Sequence, residues 1–573
     1  MHTLPREGLV REGRRSDEGV APFHGGIKAR EAEWPRLPCA HSGVAVSGLP
    51  FRRHLLSTHL APRSVDAVSA TDLHTFGYTQ QLARRVGSYA SFAAGFSFVS
   101  ILTTVFQLFG LGYSFGGTAF FWTWPAVFAG QLLVALCFAE LAARYPLSGA
   151  IFQWSRRLGG SVLGWFAGWT MIVAQIITVA AAAIALQVVL PAAWSGFQVI
   201  GTDPSVFTAD GAANAVLLGC LLLVATTTLN AVSVRITAIV NSVGVTCELI
   251  GVALLVVLLL GHAERGPSVV LHHTNLNATT GYVVPLLISS LMAAYVLVGF
   301  DSAGELAEET HKPRATTPRT ILRAVVASGI GGAFLLLAAL MASPSLSVDD
   351  LGLGGLPYVL TSQLGTFWGK VLLVDVALAV CVCTLAIQTA AARMIFSMSR
   401  DDVLPFSAAL RTISPRTGTP VLATIVPGIG AALCLLVNVK NAGLFLGLCS
   451  VCIMLMYIAY LAVTGAMLVR RLRGTLETGG TDEDGKPLFS MGPKVGLVVN
   501  VLAVAYGVFM AINLGLPRAE VYDPAGDGWY LHYLPLLTLA VTFGGGAIAY
   551  AVKRVDYHAS VAVPFAQLEG EGA

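Results

Sequence analysis

The chain has 573 residues, of which 55% are hydrophobic and only 12% charged, with a mean hydropathy of +0.72. Soluble domains carry about a quarter of their residues as charges, so this composition excludes an ordinary water-soluble fold and predicts an all-α integral membrane protein. The net charge of +3 carries no argument as a total, and the one close cysteine pair, Cys381 and Cys383, points to opposite sides of any helix, so neither a disulfide framework nor a metal site follows.

Residues 1–75 are rich in Arg, Gly, Pro and His without periodicity ("REGLVREGRRSDEG") and read as a disordered tail. That composition fits a basic regulatory or lipid-contacting tail, and equally a dispensable extension or a misplaced start codon. No apolar stretch precedes Tyr89, so no cleavable signal peptide is expected.

Apolar runs of about 20 residues, enough to cross roughly 30 Å of hydrocarbon, begin near Tyr89, Ala119, Val162, Ala213, Ile236, Val283, Ile321, Phe367, Val421, Ala442, Val495 and Leu534. The sequence thus predicts twelve transmembrane helices, spans 1 to 12, with both termini on one side. Lysine and arginine gather in the even-numbered connections, for example Arg156, Arg157, Arg235, Lys312, Arg314, Arg400, Arg470 and Arg471. Those loops, and with them both termini, are therefore assigned to the cytoplasm.

Span 1 is interrupted by Ser97, Ser100, Thr103 and Thr104 within "GFSFVSILTTVFQLFG". In span 3, Trp165 and Trp169 lie one turn apart and read as packing or interface anchors. At about 100° per residue, Asn241, Gly244, Glu248 and Gly251 of span 5 form one narrow stripe, small or polar throughout, that faces the protein interior. A carboxylate near a span centre costs roughly 3 kcal/mol on insertion scales and is a functional residue by default. Glu248 is accordingly a functional candidate or a carboxylate hydrogen-bonded for structure. His272 and His273, in the next loop, have no third ligand in reach, and Asn277 opens a glycosylation acceptor pattern there.

Span 6 changes character inside "AYVLVGFDSAGELAEETHKP". Ser302 followed by Glu305 matches a capping box, so a helix restarts inside the span, and Gly299 permits an unwound stretch before it. Broken backbone at membrane depth is tolerated where it lines a cavity within the protein. Asp301 therefore marks a binding site, and Glu305, Glu308 and Glu309 mark an exit toward the cytoplasm. Paired breaks in spans 1 and 6 suit two inverted repeats, 76–262 and 281–473, followed by two accessory helices (494–553) and a tail (554–573). In span 8, Asp375 and Thr384 fall on opposite sides of a straight helix, and a partial ion pair with Lys370 accounts for Asp375.

Three segments, "FAELAARYPLSGAIFQWSRRLGG", "GFDSAGELAEETHKPRATTPRTI" and "AARMIFSMSRDDVLP", resemble the signature segments of the amino acid, polyamine and organocation permease superfamily. "FGYTQQLARRVGSYASFAAGFSFVSI" further resembles its amino acid/choline transporter branch. The resemblance implies a leucine-transporter-type fold with a 5+5 inverted repeat and broken helices 1 and 6, the substrate lying at the two breaks. It implies a substrate site of Ser97, Ser100, Ile101, Leu102 and Thr103 with Val298, Gly299, Phe300 and Asp301, under Tyr295 as an aromatic gate. Glu305, Glu308 and Glu309 fall at the cytoplasmic end of the second half-helix. The glycines that many relatives place at the span 1 break are Ser100, Ile101 and Leu102 here, with Ser100 as a cap and backbone amides open to a carboxylate.

For coupling, Glu248, Asp301 and Thr384 are the candidates, Thr384 only by analogy with sodium-coupled relatives. The sequence contains no nucleotide loop, metal cluster or nucleophile motif that an enzyme would need, and a channel would not need two repeat-related breaks. The expectation is a plasma-membrane secondary transporter of an amino acid, 4-aminobutyrate, a polyamine or a choline-like amine. Protons are the favoured coupling ion, with sodium coupling or exchange as alternatives. Besides lipid, no cofactor, metal or nucleic-acid partner is expected.

Overall fold

The computed structural model describes Leu73, residues 76–271, 281–439, 444–477, 479–523 and 528–561, with side chains up to Lys553 except those of Leu444 and Phe445, and the statements below concern these residues. His272, His273 and Asn277, the glycosylation pattern and nearly all of the N-terminal tail lie outside them.

Ten helices are long and apolar enough to cross a membrane, and a shorter apolar one, Val283–Val296, accompanies them. The first of the ten is a run, Ser88–Arg144, that covers the expected spans 1 and 2 and is interrupted at Ser100. It comprises α1 (Ser88–Val99), α2 (Ile101–Gly116) and α3 (Thr123–Arg144). There follow α4 (Ala150–Gly159), α5 (Ser161–Ala193), α6 (Ala209–Val232), α7 (Val234–Gly261), α8 (Val283–Val296) and the short α9 (Ser302–Glu305). Then come α10 (Pro313–Ala342), α11 (Gly354–Gln363), α12 (Gly365–Arg400), α13 (Val421–Asn438), α14 (Leu444–Leu472), α15 (Pro493–Gly515) and α16 (Leu534–Val561). Among the described residues the only β pairings are two isolated bridges, Val86 with Thr310 and Thr481 with Pro487.

The membrane-spanning helices are apolar all round, as lipid demands, so burial rather than amphipathicity tells inside from outside. The most apolar stretch of α5 is 83% buried and packs against α12 and α14, whereas that of α16 is 17% buried and lies at the periphery. Trp165 and Trp169 stack at 5.4 Å, and their indole N–H groups donate to the carbonyls of Val403 (3.1 Å) and Thr542 (2.9 Å). They are packing anchors. Glu140 on α3 is fully buried and accepts from Arg144 (2.7 Å) and from Arg471 of α14 (2.6 Å), which ties these helices together at their arginine-rich ends.

Candidate functional site

The break in the first helix falls at Ser100, whose φ of 35° is unusual for a non-glycine residue. Such a conformation costs of order 1–3 kcal/mol and persists where surrounding contacts over-determine it. Here they do. The Ser100 hydroxyl donates to Glu248 Oε1 (2.9 Å), lies 2.7 Å from Thr103 Oγ1 and receives the Thr103 amide at 3.4 Å. Glu248 Oε1 also accepts the Leu102 N–H at 3.1 Å. A carboxylate at the positive end of a half-helix is favourable, and Glu248 fills that position itself. The amides expected to be open to a ligand carboxylate are thus partly taken by a side chain from α7. Asn241, Gly244, Glu248 and Gly251 are all buried.

The second break runs from Leu297 to Asp301, between α8 and α9. Gly299 has φ +93°, a region that side-chain-bearing residues rarely enter, and the Phe98 ring occupies the space a β-carbon would need. Its N–H donates to the Tyr460 hydroxyl at 2.9 Å, and that hydroxyl donates to Asp301 Oδ1. The phenol of α14 therefore bridges the unwound backbone and its carboxylate. Phe138, Phe300 and Tyr460 pack around it with centroids 5.0–5.9 Å apart. The predicted capping box does not form. Ser302 Oγ instead donates to the Ala94 carbonyl of α1 at 3.1 Å, and Glu305 lies beside the Gly149 and Ala150 amides at the start of α4 without a hydrogen bond of ordinary geometry. The restarted helix is only four residues long, and its serine is worth more bonding across to the other break.

All the predicted site residues are buried: Asp301 and Phe300 are 0% exposed, Glu248 1%, Tyr295 and Val298 4%. Ser97 Oγ, Glu248 Oε2 and Asp301 Oδ2 are enclosed without a hydrogen-bond partner. Ile101, Leu102 and Thr103 enclose the break from the α2 side. Thr384 is buried too, but its hydroxyl donates to Val380 within its own helix (2.8 Å), and its neighbour Cys383 is the group that reaches α1, at the Phe98 carbonyl (3.6 Å). Asp375 forms no ion pair with the exposed Lys370. Its carboxylate instead turns to α7, where it fills the notch left by Gly251.

Toward the arginine-rich face the site is shut. Glu309 accepts from Arg393 (2.5 Å), and Glu308 accepts from Arg400 in a two-pronged contact (2.7 and 2.9 Å). The Arg400 guanidinium also covers the Tyr78 ring at 4.1 Å. Asp401 takes the Tyr78 hydroxyl (2.9 Å) and Arg156 (2.5 Å). Burial first, and then the Asp401 charge, push the Tyr78 hydroxyl up to about 12, so it remains a donor. The Arg85 and Val86 amides donate to the Glu309 carbonyl, and His311 returns a bond to Val86. Between this layer and the breaks lies a cavity of about 30 Å³ lined by Asn241, Ser302, Glu309 and Arg393, among others.

Sequence reasoning missed Tyr460, Phe98, Arg393 and Asp401. Arg393 had a signal, being an arginine in an otherwise apolar stretch of α12. Tyr460 had none, because nothing local in "YIAYLAV" distinguishes one tyrosine from the other.

A multi-pass bundle with two helix breaks enclosed at its centre, acids at both and an ion-paired layer on one side is the architecture of a membrane permease rather than an enzyme. The amino acid permease family profile matches residues 83–541. The chain belongs to that family. It is 27% identical over 472 residues to amino-acid permease BAT1 of Arabidopsis thaliana, covering 78% of this chain and 88% of the relative. Amino-acid permease 2 of Neurospora crassa is 25% identical over 498 residues (81% and 85% covered), and the GABA-specific permease of Saccharomyces cerevisiae 21% over 388 (65% and 67%).

Proposed function

We propose that this permease is a secondary active transporter that moves a small amino acid or amine across the plasma membrane by proton symport with alternating access. The observation that carries the reading is the burial of two helix breaks, at Ser100 and around Gly299, with Glu248 fastened to one and Asp301 beside the other. Half-helix ends at mid-membrane present amides to anions and carbonyls to cations. In this reading twelve spans form a leucine-transporter-type 5+5 repeat with two accessory helices, and both termini are cytoplasmic.

The substrate sits between Ser97–Thr103 and Tyr295–Asp301. An ammonium group goes to Asp301 and the unwound carbonyls, and a carboxylate goes to the first-turn amides of α2, so a zwitterion satisfies both. An ionised Glu248 and an incoming carboxylate compete for the Leu102 amide, and a proton on Glu248 removes the competition. That exchange ties one proton to one substrate. The ion-paired layer of Glu308, Glu309, Arg393 and Arg400, with Glu305 behind it, is the cytoplasmic gate.

The test is uptake by purified protein in liposomes, against amino acids, 4-aminobutyrate, polyamines and choline, under imposed proton or sodium gradients. Proton-driven accumulation of a zwitterion is expected. Sodium-stimulated, pH-independent uptake would move the coupling site to Thr384 and the carbonyls at the Ser100 break, and exchange without accumulation would make the protein an exchanger.

A further inference from the structure

Asp375 has no place in the site described so far. It lies on α12 in the half of the bundle remote from the arginine-rich layer, partly buried where α12 packs on α7. A β-carbon at Gly251 would overlap Asp375 Oδ2, so the carboxylate rests on bare backbone. Gly251 is one helical turn beyond Glu248, a rise of about 4.5 Å, and Leu102, whose amide bonds to Glu248, also borders the Gly251 notch. Glu248 Oε1 is engaged with Ser100 and Leu102, while Glu248 Oε2 and Asp375 Oδ2 are both enclosed and unpartnered. Two carboxylates therefore stand near one another, and each keeps a free oxygen.

No cation stands with them among the described residues. Lys370, on the same helix as Asp375, is exposed and unpaired with it. Arg314, Arg319 and Arg323 of α10, which packs on α7, lie in its first turns at the arginine-rich end. α12 contributes the Cys381 and Cys383 thiols, α7 adds Cys247, and α1 and α2 bring only hydroxyls and backbone to Glu248. For two neighbouring carboxylates, one buried and one partly buried, without a counter-cation, double ionisation is disfavoured and one retains a proton.

We infer that Glu248 and Asp375 are a proton-carrying pair that holds one proton between them, with Asp375 as its outward-side member. This rests on the proton coupling proposed above. The pair bears one negative charge and one proton, shared between Glu248 Oε2 and Asp375 Oδ2 across the Gly251 notch. A proton arriving from the arginine-poor face meets Asp375 first. Because the other oxygen of Glu248 holds the α2 half-helix, rearrangement at the Ser100 break disturbs the pair, and the proton and the substrate site move together.

The experiment uses full-length protein in liposomes with an entrapped pH-sensitive dye, and any panel compound that the unmodified protein transports. With one pH unit imposed, one coupled proton supports about tenfold accumulation. Asp375→Asn should lose that factor relative to counterflow exchange on the same vesicles, and Asp375→Glu should recover much of it. Gly251→Ala, which keeps both acids but displaces the Asp375 carboxylate, should show the same loss. As a reading independent of transport, the protonated-carboxyl infrared band of the unmodified protein at neutral pH should shift or weaken in Asp375→Asn. Proton-driven accumulation in Asp375→Asn equal to the unmodified protein, or an unchanged infrared band, would overturn the pair and leave Glu248 as the lone carrier. Absence of proton movement by the unmodified protein would overturn the coupling reading itself, and this inference with it.

Discussion

Replacing Gly299 with alanine is the smallest change that tests whether the second break is the binding site. The residue has φ +93°, and the space for a β-carbon is filled by the Phe98 ring. A left-handed conformation costs a β-carbon-bearing residue about 1–2 kcal/mol, and forcing a methyl into a packed core typically costs about 1–3 kcal/mol. The sum, about 2–5 kcal/mol, disfavours the unwound conformation and lowers apparent affinity by its loss of population. At 1.4 kcal/mol per tenfold, that is about thirtyfold to several thousandfold. The assay is equilibrium binding of a radiolabelled compound that the unmodified protein transports, on detergent-purified protein checked for monodispersity. Phe98→Ala in the same background should return the overlap portion and leave the backbone portion, a coupling that a double-mutant cycle isolates. Unaltered binding by monodisperse Gly299→Ala would refute the reasoning and place the site elsewhere.

Arg393→Met should strand the buried Glu309 carboxylate and destabilise the detergent-solubilised protein by about 3–5 kcal/mol, with Arg393→Met/Glu309→Gln recovering most of it in a thermal-unfolding scan. Deleting residues 1–70 should leave uptake intact, because no apolar span or motif lies there, whereas deleting through Tyr78 removes a partner of Asp401 and Arg400 and should lower uptake in the same vesicles. Lys312 holds the Asp484 carboxyl below the usual carboxylate range, and Asp484 raises Lys312 in return. The depressed carboxyl stabilises the contact above its ordinary value and loses it as pH falls through its lowered folded value. Amide protection at Asp482–Lys486, taken relative to the intrinsic exchange rate at each pH, should therefore be steady through mildly acidic pH and fall only below the ordinary carboxylate range, or on adding salt.

What could be read from the sequence follows the range of the forces involved. Helix positions depend on runs of apolar residues, a local property, and the starts predicted near Tyr89, Val162, Val283, Val421 and Leu534 match helices beginning at Ser88, Ser161, Val283, Val421 and Leu534. The break at Gly299 was legible because glycine before a polar restart is itself a local signal. The capping box failed because Ser302 had a better acceptor in Ala94, 208 residues away. The Lys370–Asp375 pair failed similarly. Sequence spacing placed the two within reach, but the notch at Gly251 belongs to another helix, and no periodicity on α12 reveals it. Tyr460 bonds to Asp301 across 159 residues and was invisible for the same reason.

The way the buried acids are held separates the proposed gate from the proposed site. Glu308 and Glu309 have both oxygens engaged by guanidinium groups, so each charge is neutralised in place and the layer is rigid until the pairs part. Glu248 and Asp301 are held by a serine hydroxyl, a backbone amide and a phenol. Such neutral donors fix the position of a carboxylate without cancelling its charge, and each of these two acids keeps one oxygen unpartnered. An enclosed acid in that condition gains from any cation that reaches it, whether a proton or a substrate ammonium, because the cation supplies what the protein withholds. A guanidinium beside Glu248 or Asp301 would remove that gain. On this argument the absence of arginine at the two breaks is as much a part of the proposed transport mechanism as its presence at Glu308 and Glu309.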